Sequence, residues 1–131
     1  MRRLAIVLAS LCLGCSSSGQ TVKDEIGRSF LVKDRLAVIL VVDFGPARKP
    51  AFRETVMVST GSTPKDVVSL FFPTKSGAVC CDTREVAEIG GVPIDAKQGR
   101  WWMVEVNGSR NISPYRTRVK RGDTIRWSYG E

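Results

Sequence analysis

Two adjacent cysteines, Cys80 and Cys81, carry the most reactive side-chain chemistry in this 131-residue chain. Thiolates act as nucleophiles, soft-metal ligands and redox centres. A disulfide between chain neighbours closes a strained ring, and on a strand the two side chains point to opposite faces, so an extended Cys80-Cys81 pair does not bridge itself. Two readings stay open: one thiol buried as a small hydrophobe with the other exposed, or a redox or soft-metal site. Zinc is disfavoured, because the chain contains no histidine and two thiolates do not complete a four-ligand structural site.

The missing histidine also removes the commonest general base. Serines and cysteines have no recognisable activating partner, and Asp82, Glu85 and Glu88 are spaced like an ordinary polar surface rather than a placed acid pair. No glycine loop has a phosphate-cradling spacing. The expectation is a chain that is not an enzyme and needs no cofactor. Four aromatics, Trp101, Trp102, Tyr115 and Trp127, form the tentative ligand-binding set. Neighbouring Trp101 and Trp102 must point to opposite sides of a strand, so one of them can lie exposed and, with Tyr115, stack on a flat ligand while the others pack in a core. Arg116, Arg118 and Lys120 alternate with Thr117 and Val119, and on an extended segment they would share a face, either simply solvated or offered to anionic headgroups, glycan or an acidic protein. Nucleic acid is not an expected partner, since no recognition motif is present.

The start of the chain supplies an address. Met1-Arg2-Arg3 is basic, Leu4 to Leu13 is nearly unbroken apolar sequence, and Gly14-Cys15-Ser16-Ser17-Ser18 turns abruptly small and polar. That is the layout of a cleaved secretory signal, and the apolar run is too short to span a bilayer. Leu13-Gly14-Cys15 resembles the lipobox of bacterial lipoproteins, although Cys12 stands where leucine is usual. The resemblance implies acylation of Cys15 and an exported, envelope-anchored protein. Ordinary cleavage, giving a secreted or periplasmic soluble protein, is the alternative. The organisation expected is a signal peptide over 1–14, a lipidated N-terminus and tether over 15–33, and one domain over 34–131. The whole chain has a formal charge of +7, which favours anionic partners in general without specifying one.

The domain opens with Leu36 to Phe44, a β-branched apolar run suited to a strand buried on both faces. After Gly45-Pro46, Glu54 to Thr60 reads as its antiparallel hairpin partner. Thr63-Pro64-Lys65-Asp66 offers an N-cap, a proline at the first helical position and an acid at the third. The helix it opens is expected to run to Phe72, stopped by Pro73, with Val67/Val68 and Phe71/Phe72 on one face against the sheet. Ala78 to Asp82 and Val86 to Ile89 read as short extended stretches, and Gly90 to Ile94 as a turn-rich loop. Trp101 to Val106 is a strand, Asn107-Gly108 and Gly122-Asp123 are turn residues, and Thr124 to Tyr129 alternates between a core side and a wet side. Asn107-Gly108-Ser109 and Asn111-Ile112-Ser113 match glycosylation sequons but are most simply turn chemistry. Strands, a helix, then strands make an α+β domain: a β-grasp-like, mostly antiparallel sheet with one helix on one face.

The stretch Trp101 to Gly108, then Tyr115, then Val119 to Tyr129 resembles the C-terminal signature of transcobalamin-like β-grasp domains, and the order of strands and helix before it is similar too. The resemblance spans about residues 36 to 129. It implies a β-grasp that in transcobalamins helps to cover a bound cobalamin together with a large helical domain absent from this chain. A binding module for a small molecule, with a corrinoid as one candidate, and an adaptor domain that docks on another envelope protein are the two functions this leaves.

Overall fold

The computed structural model describes residues 20–23, 29–32, 35–77 and 84–131. The leader, Cys15, and the stretch Ala78 to Asp82 with Cys80 and Cys81 lie outside the described residues. Within the segment read as a tether, β1 (Gln20–Lys23) pairs antiparallel with β2 (Ser29–Val32), and Gln20 stands opposite Val32.

The long apolar run becomes β3 (Arg35–Asp43). Leu36, Val38, Leu40 and Val42 point to one face and are buried, as is Phe44 just beyond. Val41 is buried as well although it points the other way, flanked across the strands by Arg53 and Arg126. A strand apolar on both faces belongs at the centre of a sheet, and β3 has neighbours on both sides. The chain then turns sharply: Gly45 donates its N–H to the Asp43 carboxylate at 2.9 Å and begins a short 3-10 turn over Gly45–Ala47. Gly45 has φ 44°, and a Cβ there would stand 2.4 Å from the Tyr129 carbonyl oxygen, so the position needs glycine on two counts. Strand β4 (Phe52–Ser59) returns antiparallel to β3, with Val58 opposite Leu36 and Val56 opposite Val38, completing the hairpin expected from the sequence.

The helix α1 (Pro64–Ser69) starts where the sequence predicts. Asp66 N–H donates to Thr63 Oγ1 at 3.2 Å and Thr63 N–H to Asp66 Oδ2 at 2.9 Å, a reciprocal box that satisfies two otherwise orphaned amides. Its end differs from expectation. The helix stops at Ser69 instead of running to Phe72, and the N–H groups of Phe71 and Phe72 both turn back onto the Val68 carbonyl. Pro73 accounts for this, because proline disfavours helical backbone in the residue before it. Val67 and Val68 are therefore fully buried, whereas Phe71 leaves the expected common face and is exposed.

Three short strands follow, β5 (Thr74–Ser76), β6 (Val86–Ile89) and β7 (Val92–Pro93), paired antiparallel in that order. They bury Val86, Ile89 and Val92. A 3-10 turn at Ala96–Gln98, capped by the Asp95 carboxylate, leads into β8 (Trp101–Val106), and β9 (Thr124–Gly130) is the last of the described strands. The main sheet runs β4-β3-β9-β8. Its outer pairings are antiparallel, and its central pair is parallel, with Leu40 opposite Ile125 and Val42 opposite Trp127. A mixed sheet whose first and last domain strands lie side by side, with one helix on one face, is an α+β fold of β-grasp type. Leu40, Val42, Ile125, Trp127 and Tyr129 meet Val67, Val68 and Ile89 in a single core.

Candidate functional site

Strand β8 places the aromatic pair. Antiparallel pairing sets Trp102 opposite Tyr129, Val104 opposite Trp127 and Val106 opposite Ile125, so these side chains share the inner face. Trp101, Met103 and Glu105 take the outer face by alternation. Trp102 is only 9% exposed and donates its ring N–H to the Val92 carbonyl at 2.8 Å, while its ring meets Phe44 edge-on at 5.6 Å. Trp127, 1% exposed, donates its ring N–H to the Pro64 carbonyl at 3.2 Å, tying the last strand to the start of α1. Trp101 remains 36% exposed on the opposite face.

A cleft of about 230 Å³ opens along β8. Trp102, Val104 and Trp127 line it from the inner face of the β8–β9 pair, with Val86 of β6 and with Ile112 and Pro114 from the connection between β8 and β9. Glu85 and Arg110 add one charge of each sign to an otherwise apolar lining. Arg110 is held by Glu105, Nε to Oε1 at 3.1 Å, on the exposed side of the strand. Such a space is smaller than the roughly 300–1,000 Å³ of a cleft that engulfs a drug-sized molecule. It can grip an edge or a substituent of a larger ligand.

The four aromatics expected from the sequence are thus divided by the fold. Trp102 and Trp127 come together beneath the cleft, Trp101 faces away from it, and Tyr115 lies beyond the cleft lining. The Tyr115 ring carries the Arg84 guanidinium at 4.5 Å and that of Arg116 at 5.6 Å. Ile112, Pro114 and Glu85 were not among the residues expected to bind a ligand. The apolar Ile112 between two sequon serines was the available signal, since a half-buried isoleucine is out of place in a purely polar turn.

The turn residues interlock. Asn107, with φ 52°, and Gly108, with φ 80°, reverse the chain after β8. The Asn107 side chain donates to Asp123 Oδ1 at 2.8 Å and accepts the Thr124 N–H at 2.9 Å. Asp123 takes the Lys120 N–H through its other oxygen at 2.7 Å, and the backbone carbonyl of Asp123 accepts from Ile39. Gly122, at φ 80°, donates to Ala37 at 2.8 Å. The two turns therefore clamp β8, β9 and β3 at one end of the sheet. The segment from Arg116 to Lys120 is irregular rather than a strand, and Val119 is buried within it.

Among the described residues no group of three or more His, Cys, Asp or Glu side chains gathers where a metal ion could be held. Cys80 and Cys81, outside those residues, are not covered by that statement.

The fold has counterparts among solved structures. The fold is transcobalamin-like. Haptocorrin in complex with Cbi superposes with a TM-score of 0.59 at 13% identity, over 78% of this chain and 26% of haptocorrin. The chain thus spans about a quarter of that protein's length. A Ruminococcus gnavus protein provisionally described as metal-binding matches with a TM-score of 0.53 at 17% identity, over 73% of this chain and 97% of its own. No family model matches the chain, and no curated protein matches it. At these identities the likeness is one of fold.

Proposed function

We propose that this chain is a non-catalytic ligand-binding module of the bacterial cell envelope that forms one wall of a composite site. The observation that carries the reading is the small cleft of mixed polarity along β8, lined by Trp102, Val104 and Ile112 with Glu85 and Arg110 as its charged members. A wall of that size and polarity suits the edge of a large, partly apolar molecule whose remaining surface is covered by something else. Haptocorrin, a protein of the same fold whose structure holds Cbi, makes a corrinoid the first ligand to try. Trp102 and Trp127 support this wall from behind rather than stack on the ligand, because both side chains are buried in the core.

Titration calorimetry of the chain from Ser16 onward with cobalamin and with a truncated corrinoid tests the reading. Arg110→Glu reports on the cleft and Trp101→Ala on the opposite face. Saturable heat that weakens about tenfold or more in Arg110→Glu, a loss of about 1.4 kcal/mol, and survives Trp101→Ala is the expected result. No heat at millimolar ligand, or loss only in Trp101→Ala, overturns the cleft.

The address belongs to the same proposal. Leu13-Gly14-Cys15 after a basic and apolar leader supports acylation of Cys15. Cells fed a labelled fatty acid should transfer label to the wild-type chain and none to Cys15→Ser. An unlabelled wild-type chain would instead make the protein a soluble exported one. The adaptor reading retains one specific observation in its favour: among the described residues β4 pairs with β3 alone, and no described strand lies on its outer edge over Phe52–Ser59. Such an edge accepts an added strand.

A further inference from the structure

We propose that the end of the domain where the chain enters β3 is a docking surface for anionic phospholipid headgroups. The segment Ser109 to Arg121 contains Arg110, Arg116, Arg118, Lys120 and Arg121 and no acidic residue. The fold gathers the last three of these with Arg35. Arg118 donates to the Gly61 carbonyl, Val119 N–H to Ser62 at 2.9 Å and Gly122 N–H to Ala37 at 2.8 Å, so this stretch is laid across the start of β3 and the turn between β4 and α1. Arg35 opens β3 at the same end, opposite Ser59. Buried Val119 pins the segment from below, and Arg118, Lys120 and Arg121 on either side of it are exposed.

Two described acidic side chains close to this stretch, those of Asp66 and Asp123, accept from neutral donors. Asp66 caps the helix through Thr63, and Asp123 accepts from the Lys120 backbone and the Asn107 amide. The ion pairs of Lys75, Arg110 and Arg126 involve Glu88, Glu105 and Asp43, carboxylates on strands β6, β8 and β3 rather than on this segment.

The occupant follows from where the chain comes in, and this step rests on the proposed acylation of Cys15. Gln20 pairs with Val32, so the β1–β2 hairpin returns the chain close to where it started. What extends the reach is the short run from Cys15 to Gln20 and from Val32 to Arg35, about 30 Å at most at roughly 3.5 Å per residue. A lipid anchor on such a leash enters at the basic end and keeps that end near the bilayer. Cations close to an anionic surface are each worth about fivefold in partitioning, so Arg118, Lys120 and Arg121 together are worth about a hundredfold.

The test uses the unacylated chain from Ser16 onward, which retains every core residue from Leu36 to Tyr129. Flotation with phosphatidylcholine vesicles, with and without phosphatidylglycerol, is the readout. Binding should appear only with phosphatidylglycerol, fall steeply as salt is raised, and drop about a hundredfold or more in the triple variant Arg118→Glu, Lys120→Glu, Arg121→Glu. A second triple variant, Lys49→Glu, Lys97→Glu, Arg100→Glu, makes the same change in net charge away from this segment and should bind nearly as the wild type. Arg121→Ala alone should weaken binding a few-fold with an unchanged melting temperature. Equal losses in the two triple variants would reduce the effect to net charge and overturn the surface. Absence of vesicle binding, or binding only to an acidic polysaccharide, overturns it too. Because the chain carries no acyl group, these outcomes are independent of whether Cys15 is lipidated.

Discussion

At the scale of single residues, the three tryptophans show how one residue type takes different duties. Trp127 is buried with its N–H satisfied, and it links the last strand to the first turn of the helix. Truncation would remove a large apolar ring and leave the Pro64 carbonyl without its donor. Trp127→Ala should therefore cost about 3–5 kcal/mol of unfolding free energy, measured by urea denaturation. Trp101, on the outer face at the end of an edge strand, should cost no more than about 0.5–1 kcal/mol when replaced by alanine. Comparable losses at the two positions would mean that something covers the outer face in solution. The sequence showed that Trp101 and Trp102 point opposite ways, because strand alternation is a local rule. Which of them points inward is decided by the β9 register that sets Trp102 against Tyr129, and no property of the tryptophans themselves reveals it.

Elements were readable in proportion to how local their causes are. The start of α1 rests on Thr63, Pro64 and Asp66 within one turn, and it stands where those residues put it. Its end was misplaced because the apolar run Val67 to Phe72 satisfies a helical pattern, while Pro73 acts backward on Phe72 and diverts the last turn. A helix of only six residues has little intrinsic stability, so its cap and its two buried valines must hold it. Thr63→Ala should lower stability by about 0.5–2 kcal/mol, read from the shift in chemical denaturation midpoint. Thr63→Ser keeps the accepting oxygen and should recover most of the loss. If alanine and serine behave alike, the box at Thr63 and Asp66 contributes nothing and the valines alone secure the helix. The cleft was less legible than the helix, since Ile112 and Pro114 reach it from a connection without regular structure, and only the folded path of residues 107–123 brings them beside β8.

For the molecule as a whole, the decisive pairing is the one between β3 and β9, which begin at residues 35 and 124 and lie side by side in parallel. A period-two pattern states which side chains share a face but not which strand lies next door, so the sequence yielded an α+β domain without the parallel centre. Contacts this distant in sequence make folding slow relative to helical domains of similar size. The pairing also distributes stability unevenly. Leu40, Val42, Ile125 and Trp127 sit in strands paired on both sides and are almost completely shielded, whereas among the described residues β4 and β8 each pair along one edge. Native-state hydrogen exchange should therefore rank the amides of Leu40 to Val42 and Ile125 to Trp127 as slowest, opening only with global unfolding. Those of β5 to β7 should exchange at lower opening free energy, because that sheet is built from strands of two to four residues. This ordering bears on the ligand proposal, since Glu85 lies just before β6 and the cleft spans the less stable sheet and the more stable β8–β9 pair. Slower exchange in β6 on adding a corrinoid, with the central strands unchanged, is the signature expected of a ligand seated in the cleft. Protection confined to the outer face around Trp101 would place the ligand on the opposite side of the sheet and rule the cleft out.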